Sequence, residues 1–199
     1  MDQTLLRKTT PPGPYILTAT EQPTGAQLHA WWESMQRDDL GVAYADSFPA
    51  TLCQFQAEVA RGEKLLLLCL ANDQVAGAMW LHDLVQRPNG IVHAGWIGCY
   101  FLSPYRGHPA VDLWQVVRQH WEAQGIAHFF VAIHSANRRS QAFVARGAHF
   151  SRVGRYPQFT VYHGQPTDMC IYTLHAEDST LAWQLAEERA TRQMLGVGI

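Results

Sequence analysis

Charge is what this chain has least of. Lys, Arg, Asp and Glu make up 16% of its 199 residues, and they nearly cancel, leaving a formal net charge of -2. So weak a field offers no electrostatic footprint for nucleic acid or an anionic membrane surface. With 47% apolar residues beside it, the low charge excludes disorder over most of the length. Paired cysteines are missing too. Cys53, Cys69, Cys99 and Cys170 are widely spaced with no CxxC, so neither a zinc site nor a redox dithiol has support and no metal is expected. Cys69 and Cys99 sit inside apolar strand-like runs, where a free thiol behaves as a small hydrophobe. Long apolar runs are absent: the longest, Leu65 to Ala71, is far too short to cross a bilayer. Met1 to Thr10 has no apolar core of the kind a signal peptide needs. A reducing, cytoplasmic setting is the expectation. The ten histidines are scattered and read as composition.

What is present suits one mixed α/β domain, since a chain of this length buries a single good core and is short for two. Residues 1–13 read as an irregular arm, because Thr9-Thr10-Pro11-Pro12-Gly13 blocks regular structure. A first strand is expected over Tyr15 to Thr20, then a helix over Ala26 to Arg37 with Leu28, Trp31, Trp32 and Met35 on one face. A second helix follows over Ser47 to Ala60, stopped by Gly62. Lys64 to Leu70 and Val75 to Leu81 form a hairpin turned at Asn72-Asp73. Near the end, strands over His149 to Val153 and Met169 to Leu174 flank an aromatic, polar loop over Tyr156 to Gln165. This loop either walls a pocket or forms a partner surface. A last helix runs from Asp178-Ser179 to Leu195. The main domain then spans residues 14–175 and a helical extension 176–199.

Ile91 to Phe150 is the most telling stretch. A strand to Leu102 meets the turn Ser103-Pro104-Tyr105-Arg106-Gly107-His108, and a helix from about Pro109 to Gln124 presents Leu113, Trp114, Val117 and Trp121 on one side. A second apolar strand, Ala127 to His134, leads to Asn137 and another short helix. A strand feeding a helix through a tight glycine turn brings backbone N–H groups to a helix N-terminus, which is a ready site for a phosphate or pyrophosphate. The seven tryptophans, including Trp31, Trp32, Trp80, Trp96, Trp114 and Trp121, fall largely at core spacings.

This order resembles the GNAT superfamily of acyl-coenzyme A-dependent N-acyltransferases, over roughly Tyr15 to Leu174 and most strongly over Ile91 to Phe150. The resemblance implies a twisted, mostly antiparallel central sheet with one splayed parallel pair, flanked by helices. It implies acetyl-coenzyme A as co-substrate and an amine as acceptor. On its template Tyr100, Phe101 and Leu102 would hold the pantetheine arm and acyl carbonyl. Arg106, Gly107, His108, Ala110 and Val111 would hold the pyrophosphate, and Asn137, with Ser140 after it, would position the cofactor or a water. Gly147 lies close to the glycine that ends the later helix in that family.

The residues also depart from that template. Pro109 and Val111 stand where glycines are expected. Proline has no N–H to give a phosphate, though it is acceptable as a first helical residue. Val111 adds a branch where close backbone approach is wanted. The tyrosine expected to protonate the leaving thiolate is replaced by Val144, beside Phe143. No acidic residue lies between Asp83 and Asp112, which leaves His93 and His134 as the nearest titratable groups. His134, at a strand end, is the better placed base, or else a structurally bonded histidine. Arg138 and Arg139 either meet a coenzyme 3′-phosphate or are plain helix charges. Two expectations follow. One is an N-acetyltransferase working by direct attack. The other is a catalytically degenerate GNAT-fold protein, a structural or interaction component similar to phage-encoded acetyltransferase-like proteins and of a kind that could be virion-associated, which would assemble with copies of itself or a partner through its N-terminal arm and last helix.

Overall fold

The run Leu65–Ala71 is buried from Leu66 onward on both faces, because it lies inside a sheet covered by helices on each side. The computed structural model describes residues 3–8, 15–37, 49–162 and 165–194. Its strands in chain order are β1 (Gln3–Lys8), β2 (Tyr15–Thr20), β3 (Leu65–Ala71), β4 (Gln74–Gln86), β5 (Val92–Phe101), β6 (His128–His134), β7 (Ser151–Tyr162) and β8 (Gln165–Thr173). Its helices are α1 (Gly25–Arg37), α2 (Leu52–Ala60), α3 (His108–Ala123), α4 (Arg138–Ala142) and α5 (Ser179–Met194). The strands make one sheet in the order β1-β2-β3-β4-β5-β6-β8-β7. Every neighbouring pair is antiparallel except β5–β6.

Local chemistry explains most element ends. Thr24 and Gln27 form a reciprocal capping box at the start of α1: the Gln27 amide N–H donates to Thr24 Oγ1 (3.2 Å), and the Thr24 N–H to Gln27 Oε1 (2.9 Å). Thr51 caps α2 by accepting from the Gln54 N–H at 3.2 Å. The β3–β4 turn places Asn72 and Asp73 at φ 49° and 61°, the pair of positive angles a type I′ hairpin needs.

Side chains sort onto two faces. On one, α3 packs Leu113, Trp114, Val117 and Trp121 against Phe129, Val131 and the inward residues of β3 and β4. On the other, α1 and α2 form an aromatic cluster in which the Trp31 ring lies 5.5 Å from Phe55 and 5.8 Å from Trp80. Farther along this second face α5 buries Ala182 and Ala186 over Ala94, Trp96, Phe130 and Ile171. Each fully buried large side chain contributes about 1.5–3 kcal/mol. All six tryptophans expected in the core are buried.

Several elements differ from expectation. Gln3–Lys8, expected as an irregular arm, is an edge strand registered against β2; backbone pairing overrides weak local propensity there. The Tyr156-to-Gln165 loop is mostly strand. β7 continues to Tyr162 with an irregularity between Tyr156 and Thr160, where Gln158 sits at φ 47°; the long ladder to β8 outweighs Pro157. Helix α2 begins at Leu52, later than the expected Ser47: Pro49 and Ala50 are not helical and Thr51 is the extended N-cap, while Ser47 and Phe48 lie outside the described residues. The last helix packs on β8 and β7. Among the described residues no helix is long and apolar enough to cross a membrane.

Candidate active site

The parallel pair parts early. β5 and β6 are registered only at Ala94–His128, Gly95–Phe129 and Trp96–Phe130. Beyond Trp96, β5 continues beside β4, while β6 continues beside β8. The direction of the backbone groups follows from strand alternation. The Leu102 N–H donates to the Ala76 carbonyl (2.9 Å), so Leu102, Tyr100 and Gly98 turn their polar groups toward β4. Ile97, Cys99 and Phe101 therefore turn theirs toward the gap. On β6 the Phe129 carbonyl accepts from the N–H of Leu174, just past β8, and the Ser135 N–H donates to the Asp168 carbonyl on β8, so Ala132 and His134 direct their polar groups toward β5.

Strand alternation separates the residues expected along β5. Of Tyr100, Phe101 and Leu102, only Phe101 offers its backbone to the gap. The Tyr100 hydroxyl donates to the Ser34 carbonyl of α1 at 3.0 Å, which ties it to the opposite lobe. Cys99, which motif matching missed, shares the gap edge, as does the Ile97 carbonyl; the Ile97 N–H closes the last ladder bond, to the Phe130 carbonyl. They could have been found only from the strand register. Burial pushes the Cys99 thiol up to about 12, so it stays protonated and poorly nucleophilic.

The turn after β5 is a single 3-10 turn, Ser103–Tyr105. Arg106 folds back: Nε donates to the Phe101 carbonyl at 2.8 Å, Nη2 lies 3.4 Å from the Tyr100 hydroxyl, and the guanidinium carbon is 5.5 Å from the Tyr100 ring centroid. It braces the end of β5. Gly107 N-caps α3 at φ 83°, ψ -127°; a Cβ there would meet nothing within 4 Å, so backbone conformation and not space demands glycine. The Val111 N–H is spent on the Gly107 carbonyl (3.3 Å) and Pro109 has none. His108, exposed, and Ala110, buried, supply the first-turn N–H groups that lack intrahelical acceptors. The Val111 branch points away from the turn: a Cβ on Gly147 would lie 2.6 Å from Val111 Cγ2.

At the end of β6, His134 is 7% exposed. By alternation its side chain shares the α1/α2/α5 face with Tyr100. Its carbonyl accepts the Asn137 N–H (2.9 Å) and Gln141 Nε2 (3.2 Å). Gln141 Nε2 also donates to the Ser135 carbonyl (2.8 Å), and its Oε1 faces the Tyr172 hydroxyl at 3.4 Å. The Asn137 side chain caps α4 by accepting from the Ser140 N–H at 3.1 Å. A π-helical turn, Phe143–Gly147, continues α4, a geometry often found at functional sites. Val144 within it is core. Gln141 lacked any sequence signal. Among the described residues no group of three or more His, Cys, Asp or Glu could hold a metal ion.

The fold is shared with solved acetyltransferase structures. The acetyltransferase from Salmonella typhimurium that modifies the N-terminal serine of ribosomal protein L7/L12 is 20% identical, with a TM-score of 0.64 over 79% of this chain and 93% of that one. Mycobacterium smegmatis RimJ, solved with a coenzyme A disulfide, is 15% identical with a TM-score of 0.63 over 86% and 90%. The microcin C7 self-immunity acetyltransferase MccE, solved with acetyl-CoA and AMP, is 17% identical with a TM-score of 0.58 over 83% and 97%. Likeness at these identities establishes the fold. None of the three is described as a phage protein, so the phage-like expectation gains no support. No family model and no curated protein matches the chain.

Proposed function

We propose that the chain is an N-acetyltransferase that moves an acetyl group from acetyl-CoA to an amine by direct attack in a ternary complex. The observation that carries this reading is the gap after Trp96 and Phe130, which opens onto the N-terminus of α3. An extended pantetheine arm has the amide pattern to add to the β5 edge from the Ile97 carbonyl through Cys99 to Phe101, as a strand does. Backbone N–H donors on that edge would polarise the thioester carbonyl. The Gly107-His108-Ala110 backbone would take the pyrophosphate, with Arg106 bracing the strand end before it. Asn137 holds α4 in place through its cap.

The acceptor must arrive as a neutral amine. Its nitrogen forms the new C–N bond, the C–S bond breaks, and the amine proton leaves to His134 or to water. Val144 gives the thiolate no proton. That loss is tolerable, because an ordinary thiol titrates near about 8.5 and solvent can supply the proton. The buried Val144 and the donorless Pro109 favour a second reading, a degenerate GNAT-fold binding or assembly protein.

Calorimetry with acetyl-CoA separates the two. Micromolar binding, weakened about tenfold or more by Arg106→Glu, together with acetyl transfer to an amine, supports the enzyme. No binding at millimolar acetyl-CoA sinks it, and a stable assembly on size exclusion then favours the second reading.

A further inference from the structure

The outermost acceptor on the gap edge of β5 is already in use. The Leu102 N–H donates to the Ala76 carbonyl on β4, so strand alternation aims the Phe101 carbonyl at the gap. That carbonyl accepts the Arg106 Nε–H at 2.8 Å. Two more contacts hold the guanidinium there: Nη2 lies 3.4 Å from the Tyr100 hydroxyl, and the guanidinium carbon 5.5 Å from the Tyr100 ring centroid. The ring itself is fixed, being 5% exposed and bonded through its hydroxyl to the Ser34 carbonyl at 3.0 Å. Tyr100 packs with α1 and α2, so the Arg106 charge is drawn toward the face opposite α3. Yet Arg106 immediately precedes Gly107, the N-cap of α3, where the phosphate-seeking backbone N–H groups begin.

We propose that Arg106 is a specificity-determining residue: it holds the Phe101 carbonyl and gives it up to a thioester whose far end carries a pyrophosphate, so that pantetheine thioesters without one are discriminated against. The proposal rests on the acetyltransferase reading and goes beyond it in giving Arg106 two partners. An extended amide-bearing arm that adds to β5 needs the Phe101 carbonyl for its outermost strand-like bond. A carbonyl oxygen has two lone pairs, but a paired strand approaches in the sheet plane from the gap side, and the guanidinium stands there. The arm must therefore displace Arg106. Losing a charged hydrogen bond and a ring contact is unfavourable unless the guanidinium finds another partner. A pyrophosphate at the N-terminus of α3 is such a partner, because a guanidinium meets phosphate oxygens with paired N–H groups. Arg106 is exposed, so side-chain rotation makes the exchange with β5 at rest. A pantetheine thioester offers nothing in return for the displaced charge.

The test is calorimetry on the full chain with two probes, acetyl-CoA and S-acetylpantetheine. In Arg106→Met, which keeps a long side chain and loses the charge and the donors, the two affinities should move in opposite directions. Acetyl-CoA should bind about tenfold more weakly, and S-acetylpantetheine about three- to tenfold more tightly. A second measurement needs no variant. Inorganic pyrophosphate, by drawing Arg106 off the Phe101 carbonyl, should tighten S-acetylpantetheine binding to the wild type about threefold and leave Arg106→Met unaffected. Should Arg106→Met fail to fold, the wild-type measurement decides alone. A plain brace for the strand end predicts otherwise: both thioesters weaken together, and pyrophosphate changes nothing. Either of those results overturns the proposal while the acetyltransferase reading stands. No S-acetylpantetheine binding by either protein at millimolar concentration overturns it too, because the β5 edge then holds nothing by itself. If the wild type binds no acetyl-CoA, the acetyltransferase reading falls and the proposal falls with it.

Discussion

Replacing Gly147 with alanine should strain the contact between the π turn and α3, and Val111→Ala should relieve it. The added Cβ would sit 2.6 Å from Val111 Cγ2, 3.6 Å from Phe143 Cδ2 and 3.8 Å from Val111 Cβ. Contact between carbons is optimal near about 3.5–4.0 Å, so the close term is entirely the Val111 methyl. Gly147 is not among the positive-φ residues, and alanine meets no backbone penalty there. Overpacking of this kind costs about 1–3 kcal/mol. Alanine regains up to about 1 kcal/mol of helix propensity, leaving Gly147→Ala destabilised by about 0.5–2 kcal/mol. Val111→Ala alone loses two methyl groups at a half-buried site, about 0.5–1.5 kcal/mol. The double variant should be more stable than the sum of the singles by about 1–2 kcal/mol. Denaturant unfolding followed by tryptophan fluorescence measures each. The functional corollary is that Val111→Gly, which restores the residue of the GNAT template, loses stability without improving acetyl-CoA affinity more than about twofold, because the branch faces Gly147 and not the turn. A coupling near zero, or a large gain in affinity, would refute the geometry.

Three further outcomes are expected. Gly98→Ala should be far more damaging than Gly147→Ala, since its Cβ would fall within the buried Trp80 ring; a loss above about 3 kcal/mol with altered Trp emission is expected, and a mild variant would contradict the packing. Burial holds His82 below its usual range despite its 3.0 Å bond to Asp83. The unfolded chain therefore binds a proton that the folded chain refuses, and stability should be full above about pH 6.5 and decline below it. Asp83, desolvated yet held near 2 by the His82 bond and by the charges of His82, Arg189 and Lys64, loses its contribution only as pH falls through the acid range. A Tm that rises between pH 7.5 and 5.5, or a decline unchanged in His82→Gln, would count against this. Of the four thiols, only Cys53 is exposed. A thiol reagent should therefore label the native protein fast at that position alone, and Cys53→Ser should remove the fast phase.

Much of the fold was legible. The Asn72-Asp73 turn, the Leu28-Trp31-Trp32-Met35 stripe and the strand–turn–helix around Gly107 each carry their signal within a few residues, through φ preference or helical periodicity. β1 and the second half of β7 carried none, because ladder partners distant in the chain decide them. The site was half legible. The turn and its helix could be aligned by eye, but the direction of the Arg106 side chain, folded back onto Phe101 and Tyr100, could not. Nor could the match of Val111, a departure from the glycine-rich pattern, to Gly147, whose missing side chain makes room for its methyl.

By itself the sequence determined which segments are strands and helices near the site, the glycine at position 107, and the loss of donors at Pro109 and Val144, because those properties belong to single residues or to local periodicity. Only the tertiary structure decided that β6 leaves β5 after Trp96 and that Cys99 and Phe101 face the opening. Strand alternation assigns each backbone group a side only when the register is known, and register is set by contacts between residues dozens of positions apart.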